Sequence, residues 1–230
     1  MSAALENLLQ NAAVWRGDAH SRVSAPAVAS GFAALDETLG GWPVGALAEL
    51  IPQHEGVGEL SVLLPALARL SREERWVAFV NPPHLPYAPA LAVAGLNLSA
   101  ILVVRAAGTP DVLWAMEQAL RSGACSAVLG WPGFVTEQAI RRLQLAAATG
   151  EALAFYFTVP GAQPRNSPVP FRLRIGACNG ATEVEILKRR GGGVTAPLIL
   201  KDALVLKDVL AVPGFSAPAD RTVPAGRHAA

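Results

Sequence analysis

Ser30-Gly-Phe-Ala-Ala-Leu-Asp-Glu-Thr-Leu-Gly-Gly-Trp-Pro-Val-Gly-Ala-Leu-Ala-Glu-Leu-Ile51 runs directly into Pro52-Gln-His-Glu-Gly-Val-Gly-Glu-Leu60. This stretch reads as a helical turn around Leu35-Asp36, a break at Gly40-Gly41, a Pro43-x-Gly45 turn, a strand over 46–51 and a glycine-bearing loop. A loop in that position grips a triphosphate when it carries Gly-x4-Gly-Lys-Ser/Thr. Backbone N–H groups then cradle the phosphates, the lysine neutralises them and the hydroxyl holds Mg²⁺. With Gly58 as the last loop glycine, Glu59 takes the place of the lysine and Leu60 that of the hydroxyl. A carboxylate repels a triphosphate, and leucine offers magnesium no oxygen. No lysine occurs anywhere in the first 187 residues.

Outward from this stretch the pattern alternates. Strands are expected at 46–51, 76–80, 100–104, 125–130 and 152–158, with helices at 58–70, 86–94, 109–122 and 134–149. Continuous apolar strands alternating with helices specify a parallel sheet covered on both faces. Residues 171–175 and 182–188 instead alternate with period two around a Cys178-Asn-Gly-Ala181 turn, which predicts an antiparallel hairpin. Leu198 to Leu210 is read as an edge strand or a short amphipathic helix.

Over residues 28–200 this order resembles the RecA family core. The resemblance implies an α/β fold: a RecA-like, mainly parallel sheet flanked by helices, with a C-terminal antiparallel hairpin. It also locates three active-site elements, and each is missing. The phosphate loop is reduced to Gly56, Gly58, Glu59 and Leu60; the place of the catalytic glutamate holds Asn81-Pro-Pro-His84; the place of the magnesium-site aspartate holds Trp131-Pro132. The expectation is a non-enzyme with no catalytic residue, cofactor or metal, and His84 is read as a loop residue. The loops that contact DNA in that family correspond to 132–137 and 160–170, too short for strand exchange.

An apolar fraction of 52% and a mean hydropathy of +0.34 over 230 residues support a folded core. A net charge of +1 is unlike a dedicated nucleic-acid binder, so any DNA contact depends on a local patch. Candidate DNA or partner contacts are Arg141, Arg142, Arg165, Arg172, Arg174, Lys188, Arg189 and Arg190; the alternative is that they are the solvated faces of a helix and a hairpin. Residues 85–104 carry no charge, but Pro86, Pro89, Gly95 and Asn97 interrupt them, against a membrane span. Two cysteines, Cys125 and Cys178, without a secretory signal lead to the expectation of a reduced, cytoplasmic protein.

The N-terminal residues 1–17 read as an amphipathic helix whose Leu5, Leu8 and Leu9 form a candidate surface for self-association or partner docking. A linker over 18–29, a core over 30–209 and a Pro-, Ala- and Gly-rich tail over 210–230 complete the expected organisation.

Several segments taken in order point further: Trp15-Arg16-Gly17, Gly41-Trp42-Pro43-x-Gly45, Gly58-Glu59-Leu60, Pro82-Pro83-His84, Leu113-Trp114-Ala115-Met116-Glu117-Gln118, Arg141-Arg142-Leu143-Gln144 and Glu185-Ile186-Leu187-Lys188-Arg189-Arg190. Together they resemble the ImuA proteins of damage-induced mutagenesis. That resemblance implies an adaptor in translesion synthesis with ImuB and the error-prone polymerase as partners, RecA as a further candidate partner and weak DNA binding. ImuA is related to the SulA group, which implies the alternative of a cell division inhibitor binding FtsZ. SulA proteins of this type are shorter, and the chain length with its extended tail favours ImuA.

Overall fold

Apolar runs without alternation need cover on both faces, and the strands built from them occupy the middle of one sheet. The computed structural model describes residues 26–162, 167–190, 192 and 196–200. Its elements in chain order are β1 (Ala27–Val28), α1 (Ala33–Leu39), β2 (Trp42–Pro43), β3 (Leu47–Pro52), α2 (Leu64–Leu70), β4 (Trp76–Val80) and α3 (Ala88–Val93). A 3-10 turn (Leu98–Ala100), β5 (Ile101–Val104), α4 (Thr109–Arg121), β6 (Cys125–Gly130), α5 (Glu137–Gly150), β7 (Leu153–Phe157), β8 (Phe171–Cys178), β9 (Ala181–Lys188) and β10 (Leu198–Leu200) follow. Every residue of β3, β6 and β7 is buried.

The main sheet has the order β10-β9-β8-β3-β7-β6-β4-β5. Pairings from β8 through β3, β7, β6 and β4 to β5 are parallel, whereas β8–β9 and β9–β10 are antiparallel. One sheet face, with Phe79, Leu129, Phe155 and Leu173, builds a core with α1, α2 and α3. The other, with Ala78, Val80, Val128 and Ala154, packs on α4 and α5. The end of α5 crosses that of α4 so closely that a Cβ on Gly150 would lie 1.8 Å from the Leu120 carbonyl oxygen, a gap only glycine tolerates. Thr136 caps α5 by accepting a hydrogen bond from the Ala139 N–H at 3.3 Å.

The expected RecA-like fold class is corrected here. The sheet is mixed: its C-terminal side is a three-stranded antiparallel flank, β8-β9-β10, rather than a hairpin finishing a mainly parallel sheet. Helical cover is also sparser than expected, since only α4 and α5 among the described residues exceed seven residues. The helix expected over 58–70 begins at Leu64 because Gly56 and Gly58 take φ of +73° and +88°, which holds the preceding segment in turns. The helix expected over 86–94 shortens to Ala88–Val93, with Tyr87 extended before it.

Residues 27–28, at the end of the segment read as a linker, pair with Trp42–Pro43 in a small antiparallel ribbon. The N-terminal helix with Leu5, Leu8 and Leu9, and the tail over 210–230, lie outside the described residues. No helix among the described residues is long and apolar enough to cross a membrane.

Candidate functional site

Parallel strands bring their C-terminal ends to one edge of a sheet, where the loops that follow them form a crevice. Here that edge gathers Pro52 at the end of β3, Asn81 to Pro83 after β4, Trp131 after β6 and Thr158 to Pro160 after β7. An aromatic stack lies beneath it, with Phe79 and Phe157 in the core and Trp131 packed over them. The Trp131 ring lies 4.4 Å from Phe157 at an interplanar angle of 2° and 6.4 Å from Phe79 at 11°. Asn81 adopts a left-handed φ of +54°, and its N–H donates to the Val104 carbonyl at 2.7 Å, which turns the chain sharply out of β4.

The glycine loop serves packing. A Cβ at Gly58 would approach Thr182 Oγ1 of β9 at 2.6 Å, so its missing side chain lets the loop lie against that strand. Leu60 packs against the core. Glu59 and Glu55 line a cleft of about 180 Å³, together with Pro52, Pro83, Trp131 and Phe157. Glu59 Oε2 is buried and accepts no hydrogen bond among the described residues. His84 stands exposed at the rim, 3.9 Å from Glu55. A larger open cleft of about 390 Å³ lies beyond Pro52, lined by Gln53, His54, Gly161, Ala162 and Arg174. No group of three or more His, Cys, Asp or Glu side chains among the described residues is placed to hold a metal ion.

The candidate contact cations are mostly held by this chain's own groups. Arg141 pairs with Glu137 at 3.8 Å, Arg142 with Glu117, Arg172 with Glu49 and Arg174 with Glu185. Lys188 donates to the Ser167 carbonyl at 2.9 Å and Arg189 to that of Thr38, while Arg190 is exposed. Arg165 lies outside the described residues. These side chains are spread over α5, β8 and β9 and its end, and Arg172 is buried.

Two buried carboxylates were not visible as sites in the sequence. Glu49, the one charge in β3, faces Arg172 and Tyr156 inside the sheet. Burial, then the negative charge of Glu49 and the hydrogen bond to it, push the Tyr156 hydroxyl well above its ordinary pKa. Glu117 on α4 is 5% exposed and ties Arg121 to Arg142 of α5. A lone acid within an apolar strand was the available signal for the first. Its partner lies 123 residues away in sequence. Burial also raises the Cys125 thiol, partly offset by the Arg75 charge, so this cysteine is a small core residue.

A family model described as "Cell division inhibitor SulA" matches residues 45–154. The "Cell division inhibitor SulA" of Edwardsiella piscicida is 34% identical over 130 residues, covering 52% of this chain and 77% of that protein. The protein of the same description from Yersinia pestis (strain Pestoides F) is 32% identical over 111 residues, covering 48% of this chain and 66% of that one. Among solved structures, that of SulA from Pseudomonas aeruginosa is 29% identical and covers 48% of this chain and 96% of its own, with a TM-score of 0.42. These matches overturn the ImuA resemblance and, with it, the adaptor role in translesion synthesis and the partners ImuB, error-prone polymerase and RecA. Chain length misled the comparison, because the family match lies wholly within 45–154 and the extra residues flank it.

Proposed function

Because the chain belongs to the SulA family, we propose that it is an inhibitor of cell division that acts by binding FtsZ in the cytoplasm, without chemistry of its own. The relationship to the Edwardsiella protein over most of that protein's length carries this reading. Absence of catalysis is supported by the loop itself, where Glu59 and Leu60 supply neither a cation for phosphate nor an oxygen for magnesium.

Binding through surface contact is supported by the segment between β4 and β5. It exposes Tyr87, Val93, Leu98 and Leu102, the last on a strand that among the described residues pairs with β4 alone. An unpaired strand edge bearing exposed apolar side chains is a surface suited to protein contact.

The test is FtsZ polymer sedimentation with the purified full chain and FtsZ from the same organism. Polymer should fall in proportion to added protein, with no ATP required, and cells producing the chain should filament. Unchanged polymer at molar excess together with normal division would rule the reading out.

A further inference from the structure

The cleft at the C-terminal strand edge joins two features that the reading above leaves unused. Its walls are apolar, formed by Pro52, Pro83, Trp131 and Phe157, and it ends on acids, Glu55 at the rim and Glu59 within. Glu59 Oε2 is withdrawn from solvent yet accepts no hydrogen bond among the described residues. A buried, unsatisfied carboxylate oxygen costs free energy until a donor reaches it. The basic group near Glu55 is His84, exposed at 3.9 Å.

A ligand that satisfies this arrangement needs an aliphatic stem for the walls and a cationic donor at its tip. Long basic side chains have that form. Arginine suits it better than lysine, because the planar guanidinium is less strongly hydrated and enters a partly buried ion pair at lower cost. The volume of about 180 Å³ admits one side chain rather than a peptide segment. We propose that this cleft is the seat for a single arginine side chain presented by the protein partner. In naming a protein partner as the bearer, the proposal rests on the division-inhibitor reading; the recognition chemistry stands apart from it.

The probe is N-acetyl-arginine methylamide, titrated into the full chain while the Trp131 indole N–H is followed by NMR, its signal assigned through Trp131→Phe. The citrulline and lysine analogues are run beside it. The arginine probe should shift the signal saturably, citrulline should leave it unmoved, and lysine should bind more weakly. Glu59→Gln should weaken binding about tenfold or more, with Glu55→Gln lowering it less. Both acids sit in a partly exposed loop, and an unchanged thermal transition verifies folding of each variant.

Equal response to arginine and citrulline, tighter binding of lysine, or full affinity in Glu59→Gln would overturn the proposal. So would binding that appears only in Arg165→Ala, which would assign the seat to this chain's own arginine. FtsZ inhibition by Glu59→Gln then tests the bearer: a loss parallel to that of the probe supports it, and full inhibition overturns it. Failure of the division-inhibitor reading would instead show in the wild-type chain leaving FtsZ polymer untouched, whatever the probe does.

Discussion

Glu49 and Arg172 meet inside the sheet, each side chain 9% exposed, and neither charge is tolerable there without the other. Glu49→Gln leaves a buried guanidinium without its carboxylate and should cost about 3–5 kcal/mol in urea unfolding. Replacing both residues by methionine should recover most of that loss, since the pair is then exchanged for apolar packing. Tyr156 adds a pH dependence to the same cluster. Its folded pKa lies above the ordinary 10.0, so its contribution is complete below that pH and is lost as pH rises beyond it. Stability measured above pH 10.0 should therefore fall with a component that Tyr156→Phe lacks. Gly58 presents a steric case: Gly58→Ala sets a Cβ 2.6 Å from Thr182 Oγ1 at a φ of +88°. A loss of about 1–3 kcal/mol is expected, with Thr182→Ala relieving the clash but not the backbone strain.

Among the elements, β5 bears most directly on function. Among the described residues it stands at one side of the sheet, pairs with β4 alone and exposes Leu102 at 41%. Leu102→Glu should reduce FtsZ inhibition at least about tenfold in sedimentation, while shifting the thermal midpoint little because the side chain is not part of the core. The strands from β3 to β9 were legible because apolar runs and period-two alternation are local signals, and their observed limits lie close to the expected ones. The segment 58–63 was misread as helix because its apolar spacing outweighed Gly56 and Gly58, whose positive φ is a tertiary fact, fixed at Gly58 by the approach of Thr182. The β10 strand had two local readings, and pairing with β9 selects the extended one. At the candidate site the glycine-bearing loop after β3 was legible, and the segment holds turns there. The cleft was not, because its walls come from the ends of four segments far apart in sequence.

For the molecule as a whole, the segments shared with the ImuA resemblance between Gly58 and Gln144 lie inside the region that matches the SulA family. Residues 45–154 carry the relationship, and the length and tail that pointed elsewhere flank them. Inhibition of FtsZ by the intact chain should not change when ATP is added or removed, measured by sedimentation under both conditions. The sheet order has a consequence in time. Central strand β3 is flanked by β7 and β8, with Ala48 opposite Phe155 on one side and Phe171 on the other. During synthesis, β3 must wait for more than 100 residues to be made before either neighbour exists. Contacts of such separation form slowly and leave apolar strands uncovered meanwhile. A ribosome-bound chain that stops before residue 153 therefore carries this central, fully buried strand without either lateral partner, open to chaperones and proteases. The sheet around β3 can therefore close only once the last third of the chain has been made.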